Sequence, residues 1–179
     1  MGRPATAKKD RLINAAMRRY HHNGIAASSI AAVARDADVP AGNVYYYFRS
    51  KDSLTEAVVE RLCERVAVGL ALHEAHPDPL DRLRSFITSA GDRRQSYTDH
   101  GCPLAAIAGH SGRPLALVRA WLAAQFAALD RASALGRADF SMASLQGSFA
   151  LAHATGDPAV VANCVEQLLD WIEGRIRPI

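Results

Sequence analysis

Cysteine is scarce in this chain. Cys63, Cys102 and Cys164 are three in 179 residues, far apart and odd in number. That excludes a disulfide framework and fits a reducing compartment. No run approaches the ~18 uncharged apolar residues of a membrane span. The opening stretch MGRPATAKKDR has no apolar run behind its basic residues, so no secretory signal is expected. A cytoplasmic protein with no membrane partner follows as the expectation. Internal repeats and low-complexity tracts are lacking too. So are GxSxG, HExxH, the P-loop and GxGxxG, and His100 with Cys102 lacks a recognisable third partner for nucleophilic catalysis. An enzyme is therefore not expected, nor is a cofactor.

What is present is globular: 49% hydrophobic and 22% charged residues, without the bias of a disordered chain. The net charge of +3 hides an asymmetry. Residues 1–55 hold nine Lys+Arg against four Asp+Glu, a net of +5, and residues 56–179 hold twelve against fourteen, a net of −2. All three lysines, Lys8, Lys9 and Lys51, lie in the first part. A small basic head on a near-neutral body suits a polyanionic partner.

Ala, Leu and Arg dominate, alternating strand patterns are hard to find, and the chain reads as all-α with about nine helices. A first helix is expected from about Lys8 to His22, stopped by Asn23-Gly24. Ser28 or Ser29 can cap a second, in which Ile30, Val33, Ala34 and Ala37 share a face. Pro40 suits the first turn of a short third helix that turns Val44, Tyr47 and Phe48 inward. Ser50 can cap a long fourth, with Leu54, Val58, Leu62, Val66 and Leu70 on one ridge. Further helices are expected over about 80–97, 103–109, 115–129 and 138–154, with a last one opened by Asp157-Pro158.

The second and third helices are short and about four residues apart, the spacing of a helix-turn-helix whose second helix enters the major groove. The turn Ala37-Asp38-Val39 needs one residue in a left-handed backbone, and Asp38 stands where Gly is the usual choice, at a cost on the order of 1 kcal/mol. From Arg11 to Leu54 the chain resembles the DNA-binding domain of tetracycline-repressor-type (TetR family) transcriptional regulators. The resemblance is carried by Ala15-Ala16, Gly24, Ser28-Ser29-Ile30, Ala34, Val39 and the run GNVYYYFRSKDSL from Gly42 to Leu54. Asp38 is the departure. The resemblance implies a helix-turn-helix DNA-binding domain over 1–50 and a helical ligand-binding and dimerisation domain over 51–179. It also implies a homodimer that binds palindromic operator DNA and answers to a small-molecule effector. Repression is expected over activation, because blocking polymerase needs no extra contact surface.

The residues themselves point the same way. Tyr45, Tyr46 and Tyr47 lie about 100° apart on a helix. With Tyr47 turned inward, Tyr45 and Tyr46 can donate to phosphates. The Asn43 amide can pair with a base edge, and the near-bare Ala41 and Gly42 let backbone approach the groove. Lys51 sits in the first turn of a helix, a poor place for a cation unless a phosphate lies there. Ser28 and Ser29 join this set, and Arg3 in the basic tail can reach a minor groove.

In the body, large or polar residues in an Ala-rich region are the candidates to line an effector site: Phe86, Tyr97, Cys102, Leu104, Ile107, His110, Trp121, Gln125 and Phe126. With no charged cluster among them, a largely apolar or aromatic effector is expected. The stripes Met142–Leu145–Phe149 and Val161–Val165–Leu168–Ile172 are the expected dimer interface, two hairpins forming a four-helix bundle. His73 and His76, spaced i and i+3, lack a third ligand, so no metal site is expected. Cys102, next to His100 and before Pro103, gives an alternative: a regulator that senses oxidants or electrophiles through a thiol.

Overall fold

The computed structural model describes residues 4–176. Among them are nine α-helices and no strand. They are α1 (Pro4–Asn23), α2 (Ile30–Asp36), α3 (Ala41–Tyr47), α4 (Lys51–His73), α5 (Pro79–Asp92), α6 (Arg94–His100), α7 (Arg113–Leu129), α8 (Ala134–Thr155) and α9 (Ala159–Ile176). The all-α expectation therefore holds, with the same number of helices.

Polar caps set the early boundaries. Ser29 Oγ accepts the Ala32 amide at 3.2 Å and starts α2. Ser50 and Ser53 cap α4 reciprocally, each side chain taking the other's backbone amide at 3.1 Å. Asp78 accepts the Leu80 amide at 2.8 Å just before Pro79 opens α5. Each such cap satisfies an amide with no intrahelical partner and stabilises its helix by about 1 kcal/mol.

Two boundaries differ from the sequence expectation. The single helix expected over 80–97 is two, α5 and α6, joined at Arg93 (φ −98°, ψ 11°). The Arg93 amide turns back to the Ala90 carbonyl at 3.2 Å, tightening the turn, and the break lets α6 lie against α8. The helix expected after Pro103 is only the 3₁₀ turn Ala105–Ile107.

Apolar side chains gather in two clusters. The first joins Leu12, Ile13, Ala16 and Tyr20 of α1, Val33 and Ala34 of α2, Val44 and Phe48 at α3, and Leu54, Val58 and Leu62 of α4. Ile107 closes it from the body side. The second joins α5, α7, α8 and α9 through Leu83, Ile87, Leu122, Phe126, Leu145, Phe149, Val161 and Leu168. Fully burying a large aliphatic or aromatic side chain contributes roughly 1.5–3 kcal/mol, so each cluster orders the helices that share it. α4 belongs to both: its first half seals the head, and Val66 packs on the second cluster. A buried hydrogen bond of 3.1 Å between the Tyr20 hydroxyl and Thr55 Oγ1 ties α1 to α4.

Candidate nucleic-acid interface

The α2–α3 turn depends on one backbone angle. Asp38 has φ +51°, the only non-glycine residue in the left-handed region among those described. The Asp38 amide donates to the Arg35 carbonyl at 3.1 Å, and the Val39 amide reaches the Ala34 carbonyl at 3.0 Å. This closing pattern needs a left-handed residue just past a helix end. The Asp38 carboxylate faces Arg11 of α1 at 3.3 Å. One turn away, Arg19 pairs with Asp36 at 2.8 Å and holds that carboxyl below its usual value. These pairs help seat α2 on α1.

α3 then stands on three anchors. Val44 and Phe48 are buried, and Tyr47 packs partly under the helix against the first cluster. Opposite them, Ala41, Gly42, Asn43, Tyr45 and Tyr46 are exposed, Tyr45 by 59% and Tyr46 by 82%. Exposure of that size in two adjacent tyrosines is unusual for a folded surface. The Tyr46 ring stands edge-on to Tyr47 with centroids 5.0 Å apart, which fixes its direction. The outcome is a short rod with an amide, two phenols and bare backbone on its open side. Arg49 lies within the quoted run but was not among the expected contacts: it follows the α3 cap residue Phe48 and is exposed.

Other expected contacts fall differently. Ser28 is 1% exposed and its hydroxyl donates to the Gly24 carbonyl at 2.8 Å. It braces the α1–α2 loop and does not reach the surface, which corrects its place in the expected set. Ser29 is exposed as the α2 cap. The Lys51 ammonium donates to the Ala26 carbonyl at 3.1 Å, so it clamps the loop before α2 to the start of α4. Arg3 lies outside the described residues.

Comparison with known proteins bears on this head first. Residues 12–58 match the family model described as bacterial regulatory proteins, tetR family. Over that stretch the head is similar to the DNA-binding part of this family. It is similar to the HTH-type transcriptional regulator BetI of Paraburkholderia phytofirmans, 29% identical over 91 residues, which is 50% of this chain and 47% of that protein. The same regulator of Burkholderia thailandensis is 30% identical over 90 residues, 49% of this chain and 46% of that one. The chain thus spans about half the length of the relatives it matches. In fold it is similar over nearly its whole length to a TetR family regulator from Agrobacterium tumefaciens, with TM-score 0.80, 21% identity, 98% of this chain and 100% of that one covered. A TetR regulator from Legionella pneumophila gives TM-score 0.75 at 18% identity, covering 99% and 100%.

In the helical body the expected effector residues do not share one cavity. Ile107 belongs to the head cluster and Phe126 to the centre of the second cluster. His110 is exposed on a loop. Tyr97 stacks on Phe149 with centroids 3.8 Å apart, and burial raises its phenol above the usual value. Cys102 and Leu104 pack partly buried against the second cluster. Phe86, Trp121 and Gln125 do come together. Phe86 and Trp121 lie 5.4 Å apart beside His73, and the Glu74 carboxylate accepts from Trp121 Nε1 at 2.6 Å and Gln125 Nε2 at 3.0 Å. Arg82 completes that set with an ion pair to Glu74 at 2.9 Å. Spacing did not reveal Glu74 and Arg82, because they lie in different helical turns on either side of the α4–α5 bend.

The expected dimer stripes also face inward. Leu145, Phe149, Val161, Val165, Leu168 and Ile172 are buried within one chain, and Met142 packs partly against them. The stripe with the largest side chains is the monomer's own core. The outer face of α8 is different: Phe140 and Leu151 are 49% and 54% exposed, with Ala143, Gly147, Ala150 and Ala154 exposed alongside. Among the described residues, no helix is long and apolar enough to cross a membrane.

Proposed function

We propose that the chain is an effector-responsive transcriptional repressor that grips palindromic operator DNA as a homodimer. The observation that carries this reading is the α3 rod: Val44 and Phe48 are fixed inward, while Asn43, Tyr45 and Tyr46 stand free on the other side. Asn43 reads a base edge, and the two phenols and Arg49 take phosphates on either side. Residues 1–50 supply the reading surface, and 51–179 the effector and pairing surfaces.

A single helix-turn-helix reads few base pairs, so a site of typical affinity calls for two heads on one two-fold assembly. Phe140 and Leu151 make an exposed apolar face on α8, and the small residues Ala143, Gly147, Ala150 and Ala154 on the same side leave room for a second copy of the same helix. Effector control runs through α4, which packs into both clusters. A ligand beside Phe86, Trp121 and Gln125 at the far end of α4 shifts the spacing of the two heads by its differential affinity for two states. Such a protein works in the cytoplasm, where the DNA is.

The test is selection of bound duplexes from a random pool with the full chain. A palindromic consensus, with half-sites about one helical turn or a small multiple apart, supports the reading. Failure to enrich any duplex overturns it.

A further inference from the structure

The head and the body meet at a second place besides α4. The last turn of α1 carries His21 and His22, and the last residue of α6 is His100. The three rings form one cluster: His22 and His100 are edge-on with centroids 4.6 Å apart, His21 and His22 are 5.3 Å apart, and His21 and His100 are 6.1 Å apart. His21 Nε2 donates to the Gly101 carbonyl at 3.0 Å. Gly101 ends α6 with φ +72°, and the ring of His153 from α8 lies 3.6 Å from where a Cβ would stand. His153 Nδ1 in turn donates to the Thr98 carbonyl at 2.9 Å. A chain of imidazoles therefore runs from α1, through the α6 terminus, to α8.

The charges acting on this junction are few. Those acting on His21 come from His22 on its own helix and His100 across the gap. Asp99 beside His100 is exposed, and its Oδ1 is taken by Gln95 Nε2 at 2.8 Å. His153 on α8 is occupied by Thr98. The half-buried Cys102 follows Gly101 in the loop. Among the described residues, no group of three or more His, Cys, Asp or Glu is placed to hold a metal ion, so the cluster is read as a proton device.

We propose that His21, His22 and His100 form a proton-sensitive latch between the DNA head and the body. With the rings neutral, Gly101 stays against the end of α1. A charge on His21 meets His22 and His100 about 5–6 Å away, like charges repel, and the contact opens. Burial pushes the His21 imidazole below its usual value, with His22 and His100 adding to the shift and the Gly101 carbonyl opposing it. A lowered value means that the folded junction prefers the neutral ring. The latch is therefore fully formed above the ordinary imidazole value of about 6.5 and weakens as the pH falls through it. Opening frees the α1–α2 loop that Ser28 braces, and frees α8 at His153. The consequence for operator binding rests on the function proposed above, whereas the latch itself is a property of the chain without DNA.

Hydrogen exchange of the full chain without DNA tests it, at about pH 7.5 and about pH 5.5, either side of an ordinary imidazole. Rates are corrected for intrinsic amide chemistry. Protection at residues 20–24 and 97–104 is expected to fall measurably at the lower pH, because the folded junction disfavours the charged His21 ring. Protection at Val58 and Leu62 is expected to hold. His100→Gln is expected to abolish most of that local pH response while keeping the helical circular dichroism of the wild type. His22→Asn, which leaves the Gly101 bond in place, serves as the second variant. A local response equal in wild type and both variants, or no local response in the wild type, overturns the latch.

Discussion

Replacing Asp38 by glycine, and separately by alanine, tests the backbone that aims α3. Both variants lose the pair with Arg11, so comparing them cancels it. That pair spans 3.3 Å with the Asp38 side chain 98% exposed, and an exposed pair of this kind contributes at most about 1 kcal/mol. What remains is the residue at φ +51°. Alanine there brings its Cβ against the following carbonyl, costing roughly 1–2 kcal/mol. Glycine avoids that crowding but gives up about 0.5–1 kcal/mol in the entropy of the unfolded chain. Glycine is therefore expected to be more stable than alanine by roughly 0.5–1 kcal/mol, and aspartate, which tolerates the left-handed region better than alanine, to fall between them. The assay is urea unfolding followed by helical circular dichroism. Protomer concentration is held fixed because assembly shifts apparent stability. In a chain of this size about 1 kcal/mol also moves the thermal midpoint by about 2–4 °C. Alanine as stable as glycine, with unchanged denaturant slope, would refute the claim that the turn depends on a left-handed residue 38.

Further outcomes follow from the same geometry. Tyr45→Phe and Lys51→Ala are expected to weaken duplex binding uniformly across sequences in gel retardation, and Arg49→Ala to flatten the salt slope by about 1 as one phosphate contact is lost. Leu151→Arg on the outer face of α8 is expected to move light scattering from near twice 19.3 kDa to near 19.3 kDa with helicity intact. Leu145→Ala on the inner face instead costs about 2–5 kcal/mol in unfolding and leaves the dimer. Because Arg19 lowers the Asp36 carboxyl, that pair's contribution is present above the ordinary carboxylate value of about 3.9 and is lost as pH falls through the lowered one. Arg19→Ala should therefore flatten the acid limb of a pH–stability curve, and an unchanged limb would remove the pair from the account.

The head was legible because its signals are local and chemical. Ser29, Ser50, Asn23-Gly24 and Pro40 mark where amides and carbonyls lose partners. Asp38 marks the turn, and an inward Tyr47 forces Tyr45 and Tyr46 out. Ser28 was misplaced because two adjacent serines offer the same cap, and only packing shows which hydroxyl is turned inward to Gly24. The body was less legible because helical periodicity continues across Arg93: Leu83, Ile87, Ala90 and Tyr97 keep one phase while the backbone breaks. The proposed dimer face was hidden for a related reason. A stripe of large side chains reports burial but not by which chain, and the outward face of α8 is made mostly of Ala and Gly. The effector residues scattered because residue size marks core as readily as cavity wall. The pairing of Glu74 with Trp121 and Gln125 joins residues 47 and 51 positions apart, which no local pattern can show.

The claim on which the rest depends is that the open side of α3 reads a base edge in duplex DNA. Affinities of the wild type and Asn43→Ala for a selected operator and all its single-base variants test it most directly. The account predicts that the variant keeps discrimination at every position but one per half-site, where about 1–3 kcal/mol of preference disappears. An unchanged discrimination profile, or a wild type that binds no duplex at all, would contradict it.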